Sequence, residues 1–305
     1  MSIPVLDMSA GDRLVQDFAT AYGQAGFAYL VNHRVPKPLI SDIFAANRDF
    51  HALPLADKLA ISLDENHRGY IAIDTSTDVN STLATVTKPN QSASFMMMAD
   101  EPPDPARYLS GHNQWPDLPG FRETVEAYNT ALTELAQQLI RIALKACTDD
   151  SSALAAFNRP TTWLRLLHYP PVPKSSPDDL YGSAPHTDFG ALTILAQDNV
   201  GGLQVKAPGG GWIDVPPRED AFIVNVGDML HRMSNGRLRS TPHRVINRTG
   251  AERYSVPFFF DPDVAYDVAP LPGTGTPRFK PINFGDFLRG ELQASYDKHS
   301  TGTTP

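Results

Sequence analysis

Residues 184–196 read Ala184-Pro185-His186-Thr187-Asp188-Phe189-Gly190-Ala191-Leu192-Thr193-Ile194-Leu195-Ala196. Two side chains able to bind a metal, one residue apart, stand directly before an apolar run. Alternate residues of an extended segment point the same way, so His186 and Asp188 can reach one ion. The reading is a turn at Pro185, then the ligand pair, then a strand over Leu192–Ala196. His-X-Asp alone is a common chance pattern; its weight comes from two segments further along the chain. His243 opens a strand after the turn Gly236–Pro242, and Arg253-Tyr254-Ser255 lies on the next strand. Two imidazoles and one carboxylate on one face of a metal form a facial triad that leaves the opposite positions open. Arg253 and Ser255 face the same way and can hold a carboxylate by a charge-assisted bond plus a hydroxyl bond.

Outward from this stretch the chain reads as short β runs separated by turn residues: Thr162–Tyr169, Leu192–Ala196, Leu203–Val205, Trp212–Val215, Ala221–Val226, His243–Asn247 and Arg253–Phe260. Several short strands at regular spacing predict a sandwich or barrel. Gly209-Gly210-Gly211 lies between two of them and reads as a hairpin turn, since no helix or Lys-Ser/Thr follows to make a phosphate loop. Upstream, Phe121, Val125, Tyr128, Leu132, Leu135, Leu139 and Ile142 form one apolar stripe on a long helix laid against a sheet. The N-terminal part predicts a strand at Ile3–Leu6, a helix over Asp12–Tyr22, a strand over Gly26–Val31 and a helix from Pro36 to Phe50. Ser94–Met98 is the one strand in the polar region from Asp64 to Pro105, and Ile282–Tyr296 is helical, with Thr301–Pro305 frayed. The expected class is mainly β with flanking helices. One domain spans 1–305, divided into an N-terminal region (1–118), a long helix and connection (119–159), a β core (160–281) and a C-terminal helix and tail (282–305).

Composition excludes several classes. A formal net charge of −8 argues against a nucleic-acid partner. The apolar runs are too short to span a bilayer, and MSIPVLDMSAGDR lacks a signal-peptide pattern, so the expected setting is cytoplasmic. The one cysteine, Cys147, excludes an internal disulfide and reads as a buried small hydrophobe. Twenty-seven prolines and 21 glycines suit a fold with many turns.

The ordered motifs resemble the isopenicillin N synthase-like family of Fe(II)/2-oxoglutarate-dependent oxygenases. They are His168-Tyr169-Pro170-Pro171, residues 184–193, Gly201-Gly202-Leu203-Gln204-Val205, Asn225-Val226-Gly227-Asp228, Ser234-Asn235-Gly236, Ser240-Thr241-Pro242-His243-Arg244-Val245 and Arg253-Tyr254-Ser255. Ile3-Pro4-Val5-Leu6-Asp7 and Gly26-Phe27 leading to Val31-Asn32-His33 extend the likeness over nearly the whole chain. The resemblance implies a distorted double-stranded β-helix (jelly roll) with Fe(II) at one mouth, held by His186, Asp188 and His243. It also implies 2-oxoglutarate bound through Arg253 and Ser255 with help from Tyr169, consumption of O2, release of succinate and CO2, and ascorbate as an optional reductant. The family often has asparagine two residues before that tyrosine, where this chain has Leu167.

The implied partner is a small-molecule substrate, and oligomeric state stays open. Pocket candidates are Arg68, Tyr70, Phe95, Met97, Phe189, Phe258 and Phe260; Trp163, Trp212 and Met96-Met97-Met98 read first as packing residues, with an adaptable pocket wall as the alternative for the methionines. The close rival is an oxidase of the same fold that binds another anion at Arg253 and Ser255. A non-catalytic jelly-roll protein and a zinc hydrolase are more distant alternatives.

Overall fold

The computed structural model describes residues 2–76, 83, 86, 88–173, 175–177 and 179–296; the frayed tail expected at Thr301–Pro305 lies outside them. In chain order the N-terminal region holds β1 (Val5–Asp7), α1 (Leu14–Gln24), β2 (Phe27–Val31), α2 (Lys37–Ala52), α3 (Leu55–Leu59), β3 (Gly69–Ile71) and β4 (Ala93–Met98). The long helix α4 (Phe121–Lys145) follows. Then come β5 (Thr161–Tyr169), β6 (Ser183–His186), β7 (Leu192–Gln197), β8 (Leu203–Lys206), β9 (Trp212–Asp214), β10 (Phe222–Val226), α5 (Asp228–Met233), β11 (His243–Val245) and β12 (Arg253–Asp261). Two short strands, β13 (Asp267–Val268) and β14 (Ile282–Asn283), lead into α6 (Phe284–Tyr296).

Eight strands form a large sheet in the order β1-β2-β10-β7-β12-β5-β4-β3, and β6-β11-β8-β9 form a smaller one. Only β1 and β2 pair in parallel; the other named pairings are antiparallel. One face of the large sheet is covered by helices, in a core that includes Phe18, Tyr22, Phe50, Phe95, Tyr128 and Phe260. The other face meets the small sheet through a second cluster of Phe27, Tyr29, Leu167, Tyr169, Leu203, Val205, Val215, Ile223 and Val245. Two sheets closed over a shared interior make the expected jelly roll, since apolar residues alternate between the faces of each strand.

The predicted strands fall where the β runs placed them, with ends moved by a residue or two. The polar region from Asp64 to Pro105 holds two strands rather than one, since β3 (Gly69–Ile71) pairs with β4. Three further readings change. Pro185 is not a turn: it lies inside β6, which pairs with β11 so that His186 sits opposite His243. Proline is tolerated there because β6 is the edge of its sheet and needs no donor on the open side. The segment before His243 contains the helix α5 as well as a turn. Finally, Ile142 is only partly buried, while Ile140, Ala143 and Leu144 are buried. A strict 4-3 spacing averages 3.5 residues against 3.6 per helical turn, so over α4 the stripe drifts around the helix. The face it presents is shared between α1, α2 and the strands β7 and β12.

Helix α2 is fastened to the back of β5 by polar bonds. Asn47 Nδ2 donates to Leu167 O at 3.2 Å, and His51 Nε2 to Leu166 O at 3.0 Å. Burial drives the His51 imidazole down from 6.5 to about 3. Between these values the unfolded chain binds a proton there and the folded one does not, so stability falls as pH drops from 6.5 toward 3. At about 1.4 kcal/mol per pH unit, His51 alone is expected to remove about 2 kcal/mol by pH 5. Urea unfolding of wild type and His51→Gln at pH 7 and pH 5 checks this: the variant should show a shallower loss, and equal losses would contradict it.

Candidate metal centre and its cavity

His186 ends β6 and His243 begins β11, and pairing of these two strands sets the imidazoles side by side with ring centroids 4.3 Å apart. Asp188 follows β6 and is turned inward. Its Oδ1 lies 3.6 Å from Nε2 of His186 and 3.6 Å from Nε2 of His243. One ligand atom from each residue lies within 4.8 Å of the others, a spacing that can hold a metal ion. His186 Nδ1 approaches Ala184 O at 2.7 Å and His243 Nδ1 approaches Thr241 O at 3.3 Å. A carbonyl only accepts, so each Nδ1 carries the proton and each Nε2 keeps its lone pair for a metal.

The carboxylate is fixed just as firmly. Its Oδ2 accepts from the Thr193 hydroxyl and from Asn225 Nδ2, the latter at 2.6 Å. Burial works to raise the Asp188 carboxyl. The facing His243 and His186, when they carry charge in the absence of metal, outweigh it together with the two hydrogen bonds and hold the group below its ordinary value. One oxygen is therefore committed to the protein and the other to the histidines. The sequence reading missed Thr193 and Asn225. Their signal was a polar residue within each of two otherwise apolar strands, which burial permits only with a partner.

Arg253 is wholly buried. Its Nε donates to Gly201 O at 2.6 Å, Nη1 to Ser255 Oγ at 3.2 Å and Nη2 reaches Gln197 Oε1 at 3.5 Å. The Tyr169 ring lies 4.6 Å from the guanidinium carbon. No carboxylate among the described residues pairs with this arginine. A buried cation held only by neutral groups is costly, and an anionic ligand removes that cost. The donor set thus fits a carboxylate-bearing cosubstrate beside the triad.

Comparisons with known proteins identify the family. Residues 160–262 match the 2OG-Fe(II) oxygenase superfamily, and residues 3–118 match the family described as non-haem dioxygenase in morphine synthesis, N-terminal. The chain is 36% identical over 321 residues to the 2-oxoglutarate-Fe(II) type oxidoreductase hxnY of Emericella nidulans, covering 97% of this chain and 90% of that protein. The chain belongs to the 2-oxoglutarate–Fe(II) oxygenase superfamily. A Neurospora crassa protein, solved at full length with alpha-KG and thymine, superposes on this oxygenase with a TM-score of 0.84 at 28% identity, covering 96% of each chain. JOX2, solved with 2OG, Fe and JA, gives 0.82 at 27%, covering 100% of this chain and 90% of that one. The protein is a non-haem Fe(II)/2-oxoglutarate-dependent dioxygenase with a double-stranded β-helix core.

Beside the triad the oxygenase encloses a cavity of about 140 Å³, walled by β5, β12, the 186–190 segment and α6. Phe189 lines it, as do His186 and Asp188. Phe258 and Phe260 do not: they are fully buried on the helix side, where Phe260 stacks on Phe157. The cavity receives Phe259 instead. Tyr70 and Phe95 are register partners packed around Phe50 on the helix side, and Met97 also stands outside the lining. Arg68 is a structural clamp whose guanidinium donates to Asn66 O, Leu109 O and Ala99 O at 2.9–3.0 Å. Trp163 and Met96, read from sequence as packing residues, both line the cavity.

The 188–190 segment leaves no room at Gly227. A Cβ there would lie 2.4 Å from Gly190 O and 3.0 Å from Asp188 O, both backbone atoms that cannot swing away. Gly227→Ala is expected to lower stability by about 1–3 kcal/mol, in the range of overpacked sites, and to weaken metal binding by moving Asp188. Thermal unfolding and Fe(II) titration check both; a variant with unchanged Tm and metal affinity would contradict the packing argument.

Proposed function

We propose that His186, Asp188 and His243 hold the Fe(II) and that Arg253 and Ser255, with Tyr169 stacked on the guanidinium, receive the distal carboxylate of 2-oxoglutarate. A small organic substrate then occupies the neighbouring cavity and is hydroxylated or desaturated. The observation that carries this is the convergence of two Nε2 atoms on Asp188 Oδ1, together with a buried arginine stacked on Tyr169 of the cavity wall and with no carboxylate partner among the described residues. Bound Fe(II), 2-oxoglutarate and O2 supply the oxidising chemistry, with succinate and CO2 as by-products.

The chain's own part is positional. The Ala184 and Thr241 carbonyls fix the imidazole tautomers. Thr193 and Asn225 aim the carboxylate. Arg253 orients the cosubstrate by its fixed fork of donors, and Trp163, Phe189 and Phe259 supply apolar surface beside the centre. Leu167, where relatives often place asparagine, lies opposite Ser255 between β5 and β12. It adds apolar surface rather than a hydrogen bond to the cosubstrate site.

Screening candidate substrates for succinate release above the basal rate tests the reading. Substrate-dependent succinate in proportion to product supports it; product formed without any succinate would sink it in favour of an oxidase that needs no 2-oxoglutarate.

A further inference from the structure

Among the described residues lining the cavity, Arg165 is the one arginine or lysine, and the proposed cosubstrate site does not use it. Strand β5 turns Trp163, Arg165, Leu167 and Tyr169 toward the cavity, as alternation along a strand requires. Arg165 Nη2 donates to Ser94 Oγ at 2.9 Å and Nε contacts the same oxygen at 3.3 Å. No carboxylate among the described residues forms an ion pair with it. Of the cavity's two carboxylates, Asp188 faces the histidines, and Asp261 accepts the Ala191 N–H at 2.8 Å. Apart from the histidine, the other polar lining groups are neutral, among them Asn90, Ser92 and Ser183. A partly buried guanidinium that spends two of its nitrogens on a single hydroxyl keeps donors for a ligand.

Position separates this arginine from the cosubstrate. Arg253 lies opposite Tyr169 in the β12–β5 register, and Arg165 stands four residues earlier on β5. At about 3.3 Å per residue the two backbone positions are roughly 13 Å apart along the strands. Their guanidiniums go to different places, Arg253 over the Tyr169 ring and Arg165 to Ser94, and of the two only Arg165 lines the cavity. Each can therefore receive its own anion.

We propose that the prime substrate of this oxygenase carries a carboxylate, received by Arg165, with its apolar body lying against Trp163, Phe189 and Phe259. The inference rests on the assignment of Arg253 to 2-oxoglutarate. A guanidinium gives planar two-point recognition of a carboxylate, and the apolar wall suits a compact ring or short chain. Arg165 is thus a binding residue that orients the substrate, while the triad holds the metal.

The test uses the full chain loaded with Fe(II) and saturating 2-oxoglutarate under anaerobic conditions. Matched probe pairs, benzoate with benzamide and phenylacetate with phenylacetamide, are titrated by calorimetry and by the fluorescence of Trp163, with Trp163→Phe to identify the signal. Wild type is expected to bind each carboxylate at least roughly 10-fold tighter than its amide, the discrimination of one charge-assisted bond of about 1.5–3 kcal/mol. Arg165→Gln should bring that ratio near one while leaving the 2-oxoglutarate affinity within about 2-fold, and Arg165→Lys should retain part of the preference. A carboxylate preference absent from wild type, or surviving intact in Arg165→Gln, would overturn the proposal. So would an equal loss of 2-oxoglutarate affinity in Arg165→Gln, which would make Arg165 a cosubstrate residue. If instead Arg253→Ala leaves 2-oxoglutarate binding unchanged, the cosubstrate assignment fails, and that result is distinct from any probe ratio.

Discussion

Asp188→Ala is expected to abolish substrate oxidation and to weaken Fe(II) binding far beyond the roughly 10–100-fold that follows loss of an outer hydrogen-bond partner. The carboxylate is the one oxygen ligand of the proposed triad, and its Oδ1 is shared between both histidines at 3.6 Å. Its removal also strands the Thr193 hydroxyl and the Asn225 amide, which point at Oδ2 in a buried place. Each stranded group costs about 1–3 kcal/mol, so Asp188→Asn and His186→Ala serve as companions that disturb packing less. The His186 side chain is about a quarter exposed, so water can enter where it is removed. Thr193→Ala and Asn225→Ala should show the milder defect of a misaimed but present ligand. Anaerobic Fe(II) titration with turnover measured in parallel is decisive: full activity in Asp188→Ala or His186→Ala would refute the metal assignment.

The second large effect concerns Arg253→Ala, for which a steep rise in the 2-oxoglutarate requirement is expected. Truncating one partner of a buried, hydrogen-bonded charge pair costs about 2–5 kcal/mol, equivalent to a roughly 30- to several-thousand-fold higher Kd. The apo protein should suffer less, because a buried cation held only by Gly201, Ser255 and Gln197 is not strongly stabilising in the first place. Arg253→Lys keeps the charge but loses the fork that spans those three partners, so it should fall between wild type and alanine. Binding and turnover as functions of 2-oxoglutarate measure this directly. An unchanged requirement would place the cosubstrate elsewhere.

Much of the architecture was legible because strands announce themselves by alternation. What sequence left ambiguous was phase. Along β12, Arg253 and Ser255 fix which residues face the barrel interior, and counting onward by twos reaches Phe259 and Asp261. The aromatic run Phe258-Phe259-Phe260 offers three large side chains, and choosing Phe258 and Phe260 is a one-residue slip that selects the helix side. Tyr70 and Phe95 share that outcome, since β3 and β4 present them together to Phe50. Arg68 was a pocket candidate by its place in the chain, but its three backbone acceptors reveal a clamp. β6 escaped notice because proline normally argues against a strand, and nothing local signals that the strand is an edge. The candidate metal ligands were easier to pick out: their type, order and alternation are visible without knowledge of which sheet they join. Arg165 carried no motif at all, and its importance emerges only from an inventory of charges around one enclosed space.

Strand β5, helix α6 and two of the three triad residues, His186 and Asp188, contribute to the cavity from separate parts of the chain. Leu288 and Leu292 roof it from α6, while the metal donors belong to β6, β11 and the segment between β6 and β7. Substitutions on the roof or on the cavity face of β5 can therefore redraw the space without disturbing the proposed metal ligands. This division makes the scaffold readily evolvable: substrate choice can be retuned by a few side chains on α6 and β5 while the oxidising centre is inherited unchanged. For directed evolution, positions 163, 165, 259, 288 and 292 form a compact library in which activity loss and specificity change can be told apart by basal 2-oxoglutarate turnover.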